Sequence, residues 1–209
     1  MKVLAINGSP HKSSSTMRAI EHVSSELLRE GIDVETVHIG TAPLQGCTAC
    51  GGCAKSGEGL CVLSDDIVNE CIKKMSVSDG LIIASPVYFA GIAGSMKCFL
   101  DRFFFAGKKS VEYKAAASIC ALRRAGSVNT FNQLNNYLGL ANVVITPSHY
   151  WNAAFGTNPD EIDQDLEGSQ LMRYIGRNMA WIMTVLEKTK SELPHPVMSE
   201  KRERFNFIR

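Results

Sequence analysis

Residues 2–7, "KVLAIN", form a short apolar run that stops at Gly8-Ser9-Pro10. A run of this length closed by turn residues predicts a buried strand. From about Ser14, the apolar residues Met17, Ile20, Val23 and Leu27 recur at helical steps, and the stripe ends before Gly31. Residues 33–39, "DVETVHI", alternate as a strand does. After a long connection, Ser64 is placed to cap a helix carrying Ile67, Val68, Cys71, Ile72 and Met75, with Asp65 and Asp66 in its positive first turn. "GLIIASP" (80–86) predicts a further strand, and Met96, Phe99, Leu100 and Phe103 mark the next helix. A strand at 115–122 ("AAASICAL"), a helix at 130–138 and a strand at 143–147 follow. Asn158-Pro159 reads as an N-cap and first turn, and the apolar residues from Ile162 to Leu186 extend a helical pattern that Gly168 interrupts.

Five strands alternating with five helices predict an α/β fold, a parallel sheet covered on both faces. Ligands in such sheets bind at the carboxyl ends of the strands, where strand order reverses. A chain of 209 residues suits one domain, expected over 1–190, with a tail at 191–209. The basic residues Lys201, Arg202 and Arg204 of that tail read as a solvated or subunit-clasping terminus.

A formal net charge of +1 gives no field for nucleic acid or an anionic membrane, so polyanion partners are not expected. Without a signal-peptide pattern or an apolar stretch of transmembrane length, the expected location is cytoplasmic. In that setting seven cysteines argue for thiols, metal ligands or redox chemistry rather than a disulfide framework. Cys71, Cys98 and Cys120 fall within apolar segments and are expected to act as small buried hydrophobes.

The loop after the first strand, "NGSPHKSSST" (7–16), holds a single glycine and so matches neither G-x-G-x-x-G nor a Walker A loop. Its hydroxyls, Ser9, Ser13, Ser14, Ser15 and Thr16, gather at the amino end of a helix. Orphan N–H groups and the helix dipole there suit a terminal phosphate. At another strand end "HYWN" (149–152) offers Tyr150 and Trp151, which either cover a ligand or pack in the core or an interface. His149 reads as a hydrogen-bonded loop residue, and His22 and His38 give no reason to be catalytic.

This first loop, together with "SPVYFAGIAGSMKCFLDR" (85–102) and "RRAGSVNT" (123–130), resembles the three flavin-holding loops of the flavodoxin-like NADPH-dependent FMN reductases, over most of the chain to about residue 188. The resemblance implies a doubly wound five-stranded sheet of order 2-1-3-4-5. It assigns the FMN phosphate to Ser9, His11, Ser13, Ser15 and Thr16, although the family often has Arg where His11 stands. Pro86, Val87, Tyr88, Phe89 and Gly91 would lie along the ribityl chain and isoalloxazine. Arg123, Arg124, Ala125 and Gly126 would approach the pyrimidine side, where a cation or N–H dipole stabilises the anionic reduced flavin. Either arginine could instead meet an NADPH 2′-phosphate or a surface carboxylate. No catalytic protein acid or base is legible.

The connection at 40–63 is too long for a plain turn and contains "CTACGGCAKSGEGLC", with cysteines spaced C-x2-C-x2-C-x7-C. With strand order 2-1-3-4-5 it leaves the sheet at the rim of the phosphate loop, so the cysteines are expected near the flavin. Zinc favours two separated C-x2-C knuckles and fits this spacing poorly. A 4Fe-4S cube needs four thiolates, three of which a tight C-x2-C-x2-C run supplies. Zinc and free redox thiols stay open beside it. The spacing resembles that of the iron-sulfur flavoproteins, a branch of the same family, and this implies Cys47, Cys50, Cys53 and Cys61 as cluster ligands.

The implied function is an FMN-dependent oxidoreductase or electron-transfer protein. It would draw on NAD(P)H or a reduced protein donor and pass electrons to a small or protein acceptor, as a homodimer or homotetramer. A cluster-free NAD(P)H-dependent reductase of quinone, azo or nitro compounds and a non-enzymatic FMN electron carrier are the alternatives.

Overall fold

The computed structural model describes residues 1–197, 199, 200, 203, 205 and 207. Lys201, Arg202 and Arg204 of the basic tail lie outside the described residues. In chain order the elements are β1 (Lys2–Asn7), α1 (Ser15–Arg29), β2 (Asp33–His38), α2 (Gly52–Ser56), α3 (Val68–Ser76), β3 (Gly80–Tyr88), β4 (Gly91–Ile92), α4 (Gly94–Gly107), β5 (Ala115–Leu122), α5 (Ser127–Leu140), β6 (Val144–Ile145), β7 (Ala153–Phe155), α6 (Pro159–Gln164) and α7 (Leu166–Thr189). The sheet runs β2-β1-β3-β5-β6, with β7 also parallel to β5 and β4 antiparallel to β3. Strand order reverses at β1, which pairs with β2 on one side and β3 on the other.

Alternation along β1 sends its side chains into two cores. Leu4 and Ile6 pack with Met96, Phe99 and Phe103 of α4, whereas Val3 and Ala5 pack with Ile20, Val23 and Leu27 of α1 and Met172 and Met179 of α7. The period of two in a strand and the helical stripes of α1, α4 and α7 therefore meet as the sequence predicts. Truncating the fully buried Phe99 to Ala would cost about 3–5 kcal/mol. Among the described residues no helix is long and apolar enough to cross a membrane.

The structure departs from expectation at several points. The sheet has seven strands rather than five. The expected strand at 143–147 is shortened to β6, paired with β5 at Ala115–Ala116, and an additional strand, β7, pairs with β5 at Cys120–Leu122. Val144 and Thr146 donate to the Lys114 and Ala116 carbonyls, so the next carbonyl along β5, that of Ser118, would fall to residue 148. Across the gap the Asn152 amide donates to the Ser118 carbonyl at 3.0 Å, so a side chain replaces the missing backbone bond.

The helix expected from Ser64 begins at Val68. Asp66 Oδ1 accepts the Val68 N–H at 3.1 Å, and Ser64 turns its hydroxyl to Asp65 instead. Likewise α5 starts at Ser127, earlier than the predicted 130. The long C-terminal pattern breaks at Asp165, not at Gly168. Asp165 caps α7 by accepting the Gly168 N–H at 3.0 Å and also takes the Phe155 N–H at 2.7 Å. A Cβ at Gly168 would lie 2.0 Å from Asp165 Oδ2, so this glycine permits the cap. Cys71 and Cys120 are buried as expected, but Cys98 is only half-buried, its sulfur 3.6 Å from where a Cβ on Gly46 would stand.

Candidate functional site

The carboxyl ends of β1, β3 and β5 form one rim. At its centre Gly8 donates its N–H to Ala84 of β3 at 2.8 Å. The buried Asn7 accepts the Ser9 N–H at 3.0 Å, the Ser9 hydroxyl accepts the His11 N–H at 3.1 Å, and His38 Nε2 lies 2.8 Å from the Ser9 carbonyl. These bonds fold residues 7–11 into a tight turn before α1. Ser14 caps α1 by accepting the Met17 N–H at 3.1 Å, and Ser15 donates to the Gly156 carbonyl at 3.0 Å, fastening the loop to the end of β7.

Ser9 and Thr16 are thus buried parts of the loop's frame, while His11 and Ser13 stand exposed at its tip. The amino end of α1, with its orphan amides, faces the same rim. One donor there was not foreseen from the sequence. Among the described residues Asn7 Nδ2 and Thr146 Oγ1 are the buried side-chain atoms without a hydrogen-bond partner.

The second loop is a hairpin. Val87 pairs with Ile92 and Tyr88 with Gly91, leaving Phe89 and Ala90 as a two-residue turn with φ of 49° and 57°. Left-handed backbone at two non-glycine residues is strained by about 1–3 kcal/mol each and persists only when its surroundings impose it. Here Asn129 donates to the Ala90 carbonyl at 2.6 Å, and Gln133 accepts the Ile92 N–H at 3.3 Å. Phe89 is left fully exposed, with Tyr88 beside it, while Pro86, Val87 and Gly91 are half-buried.

The third loop packs directly on this hairpin. Gly126 has φ of 99°, and a Cβ there would lie 2.8 Å from Ala90 Cα and 3.0 Å from a Val87 methyl. Arg123, Arg124 and Ala125 are exposed beside it. Tyr150 and Trp151, edge to face at 4.5 Å, line a cleft with Ser127 and Val128 just past the third loop. His149 packs edge-on against Tyr174 at 4.0 Å.

The cysteine loop leaves β2 at His38, beside the first loop, but does not stay at the rim. Gly46 lies against Cys98, Gly59 against Ala106, and Leu63 against Arg102, so the chain descends along α4. Cys47, Cys50, Cys53 and Cys61 all line one cavity of about 610 Å3, walled by Val62, Leu63, Phe105 and Ala106. Arg102 and Phe105 are eight and eleven residues into α4 from Gly94. At 1.5 Å per residue these two wall residues stand roughly 12–16 Å along the helix from Gly94. The cavity therefore follows α4, with Gly46, one residue before Cys47, beside Cys98 near the start of the helix and Gly59 beside Ala106 near its end.

Cys61 is the most constrained of the four. Asn69 accepts its N–H at 2.8 Å and donates to its carbonyl at 2.7 Å, and Arg102 Nε donates to its sulfur at 3.3 Å. The Arg102 side chain is 0 % exposed. It also donates to the Gln45 carbonyl at 3.3 Å, to the Leu63 carbonyl and to the Asp66 carboxylate. The Gly52 N–H and then the Thr48 hydroxyl hold the Cys50 thiol below its ordinary range. Among the described residues no three His, Cys, Asp or Glu side chains converge tightly enough to hold a single metal ion. Arg102 and Asn69 were not singled out from the sequence. A legible signal for Arg102 was its place three residues after Phe99, a charge beside an apolar helical stripe.

A family model described as NADPH-dependent FMN reductase matches residues 1–158. The chain belongs to this family. An iron-sulfur flavoprotein of Archaeoglobus fulgidus is 34 % identical over 175 residues, 82 % of this chain and 77 % of that protein. Another, from Methanocaldococcus jannaschii, is 29 % identical over 198 residues, covering 90 % of this chain and all of the relative. These place it in the iron-sulfur flavoprotein branch of the FMN reductase family. Among solved structures, RosB with a bound formylriboflavin-phosphate intermediate aligns with a TM-score of 0.71 at 17 % identity, over 100 % of this chain and 96 % of that one. That likeness shows the shared flavodoxin-like fold. As a member of the FMN reductase family the chain is a flavodoxin-like flavoprotein with a redox role, and FMN is the cofactor its family specifies.

Proposed function

We propose that the chain is an FMN-dependent oxidoreductase that takes electrons from NAD(P)H or a reduced protein donor and passes them through FMN and a 4Fe-4S cluster to a small or protein acceptor. The observation carrying this reading is that all four motif cysteines open onto a single cavity. A cavity of about 610 Å3 with four thiol donors suits a multi-atom iron-sulfur group better than one ion, and thiolates are the donors such clusters take. The rim residues likewise fit FMN. The capped start of α1 and the unpartnered Asn7 amide suit its phosphate, and the strained hairpin packed on Gly126 gives a rigid seat for the ring.

FMN would supply acceptance of a hydride and release of single electrons, and the cluster would supply one-electron transfer. The chain's own work is to bind and orient. Ser9, His11, Ser13, Ser15 and Thr16 form the phosphate loop; Pro86, Val87, Tyr88, Phe89 and Gly91 lie along the flavin; Arg123, Arg124, Ala125 and Gly126 meet its pyrimidine side. The exposed Phe89 and Tyr88 leave aromatic surface for a nicotinamide or for a second copy in a homodimer or homotetramer.

Anaerobic addition of NADH or NADPH to the flavin-loaded protein tests the donor. Loss of the flavin's visible absorbance, restored by an added quinone or by air, is the expected result. Bleaching by dithionite but by neither nicotinamide would remove NAD(P)H from the scheme.

A further inference from the structure

A buried guanidinium is costly to desolvate and is retained only with good partners. Packing of α4 does not call for one, since Met96, Phe99, Leu100 and Phe103 already join it to the core. Among the described residues every side-chain hydrogen bond of Arg102 goes to the cysteine loop or its exit: the Cys61 sulfur, the Gln45 and Leu63 carbonyls, and Asp66. Asp66 in turn spends its other oxygen on the start of α3 through the Val68 N–H. The guanidinium thus fixes the path of the loop at three points and aims one N–H at a ligand sulfur.

We infer that Arg102 is the positioning residue of the metal-sulfur centre and raises its reduction potential through the Nε–H to Cys61 Sγ contact, with Asp66 as the opposing charge. The inference rests on the cluster reading above. An added electron increases negative charge on the ligand sulfurs, and a hydrogen bond to a charged acceptor is stronger than one to a neutral acceptor. A donor at Cys61 therefore favours the reduced state, and hydrogen bonds to cluster sulfurs are among the protein's levers on potential. Burial of Arg102 keeps its charge from being screened by water.

Two substitutions separate tuning from mere support. Arg102→Gln removes the charge and the Nε–H, so the midpoint potential should fall. Asp66→Asn keeps an oxygen for the Val68 N–H but removes the charge opposing Arg102, so the potential should rise. A tenfold change in the reduced-to-oxidised ratio at fixed potential corresponds to 59 mV for one electron, and each variant is expected to move by about that much. Arg102→Lys, which keeps the charge without the planar fork, should fall between wild type and Arg102→Gln.

The measurement is a dithionite titration with redox mediators on the full chain, read by the electron paramagnetic resonance of the reduced cluster, with iron and sulfide assayed in each sample. Opposite shifts in Arg102→Gln and Asp66→Asn support the inference. If Arg102→Gln does not keep its iron, an upward shift in Asp66→Asn with a downward one in Arg102→Lys supports it. Unchanged potentials, or shifts of the same sign, in variants that retain iron overturn it. Absence of iron and sulfide from the wild type would instead overturn the cluster reading itself.

Discussion

The Ser15 hydroxyl donates to the Gly156 carbonyl at 3.0 Å, joining the loop after the first strand to the loop after the last across 141 residues. The bond holds the first turn of α1 against the end of β7. Replacing Ser15 by Ala should lower unfolding free energy by about 1 kcal/mol, the net worth of such a bond. FMN affinity should weaken by several-fold as the phosphate loop loosens. Denaturant melts and quenching of free-flavin fluorescence check the two effects separately.

Gly126 is the contact between the second and third loops. With φ of 99° and only 2.8 Å to Ala90 Cα, Gly126→Ala must push the hairpin aside. The FMN dissociation constant is expected to rise at least about tenfold, or 1.4 kcal/mol. Gly139 in α5 has nothing within 4 Å of a built Cβ. Gly139→Ala should instead stabilise the fold by about 0.5–1 kcal/mol with unchanged FMN affinity, by helix propensity.

Tyr137 gives the fold a dependence on alkaline pH. Burial, and then the carboxylate of Asp101 that its hydroxyl meets, push its pKa from 10 up to about 12. Between those values the folded chain holds a proton that the unfolded chain has lost. The contribution to stability is therefore complete below about pH 10 and lost as pH rises toward 12. The stability difference between wild type and Tyr137→Phe, followed by urea unfolding, should change across this window and stay flat below it.

Thiol alkylation separates the core cysteines from the loop cysteines. Burial pushes Cys71 and Cys120 up to about 12, so iodoacetamide should leave both untouched in the folded chain. Cys47 and Cys50 are exposed and should react first in metal-free protein. Peptide mass mapping before and after denaturation reads the order.

Much of this arrangement was legible along the chain because it depends on local periodicity. The apolar run at 2–7 and the stripe from Met17 to Leu27 became β1 and α1, and the three loops fell at strand ends as expected. What escaped was set by contacts distant in sequence. The strand at 143–147 shortened to Val144–Ile145 because the Asn152 amide takes the Ser118 carbonyl that the strand would reach next. Cysteine spacing shows how many donors one loop holds, but not where the loop goes. Its descent along α4 depends on Arg102, 41 residues beyond Cys61, and no spacing rule connects the two. The start of α3 moved for the same reason, since Asp66 is held by that guanidinium rather than placed in a helical turn.

Iron, acid-labile sulfide, zinc and flavin measured together on anaerobically purified protein test the central claim most directly. About four irons and four sulfides per chain, with bound FMN, is the result this account predicts. One zinc per chain with iron and sulfide near zero would contradict it.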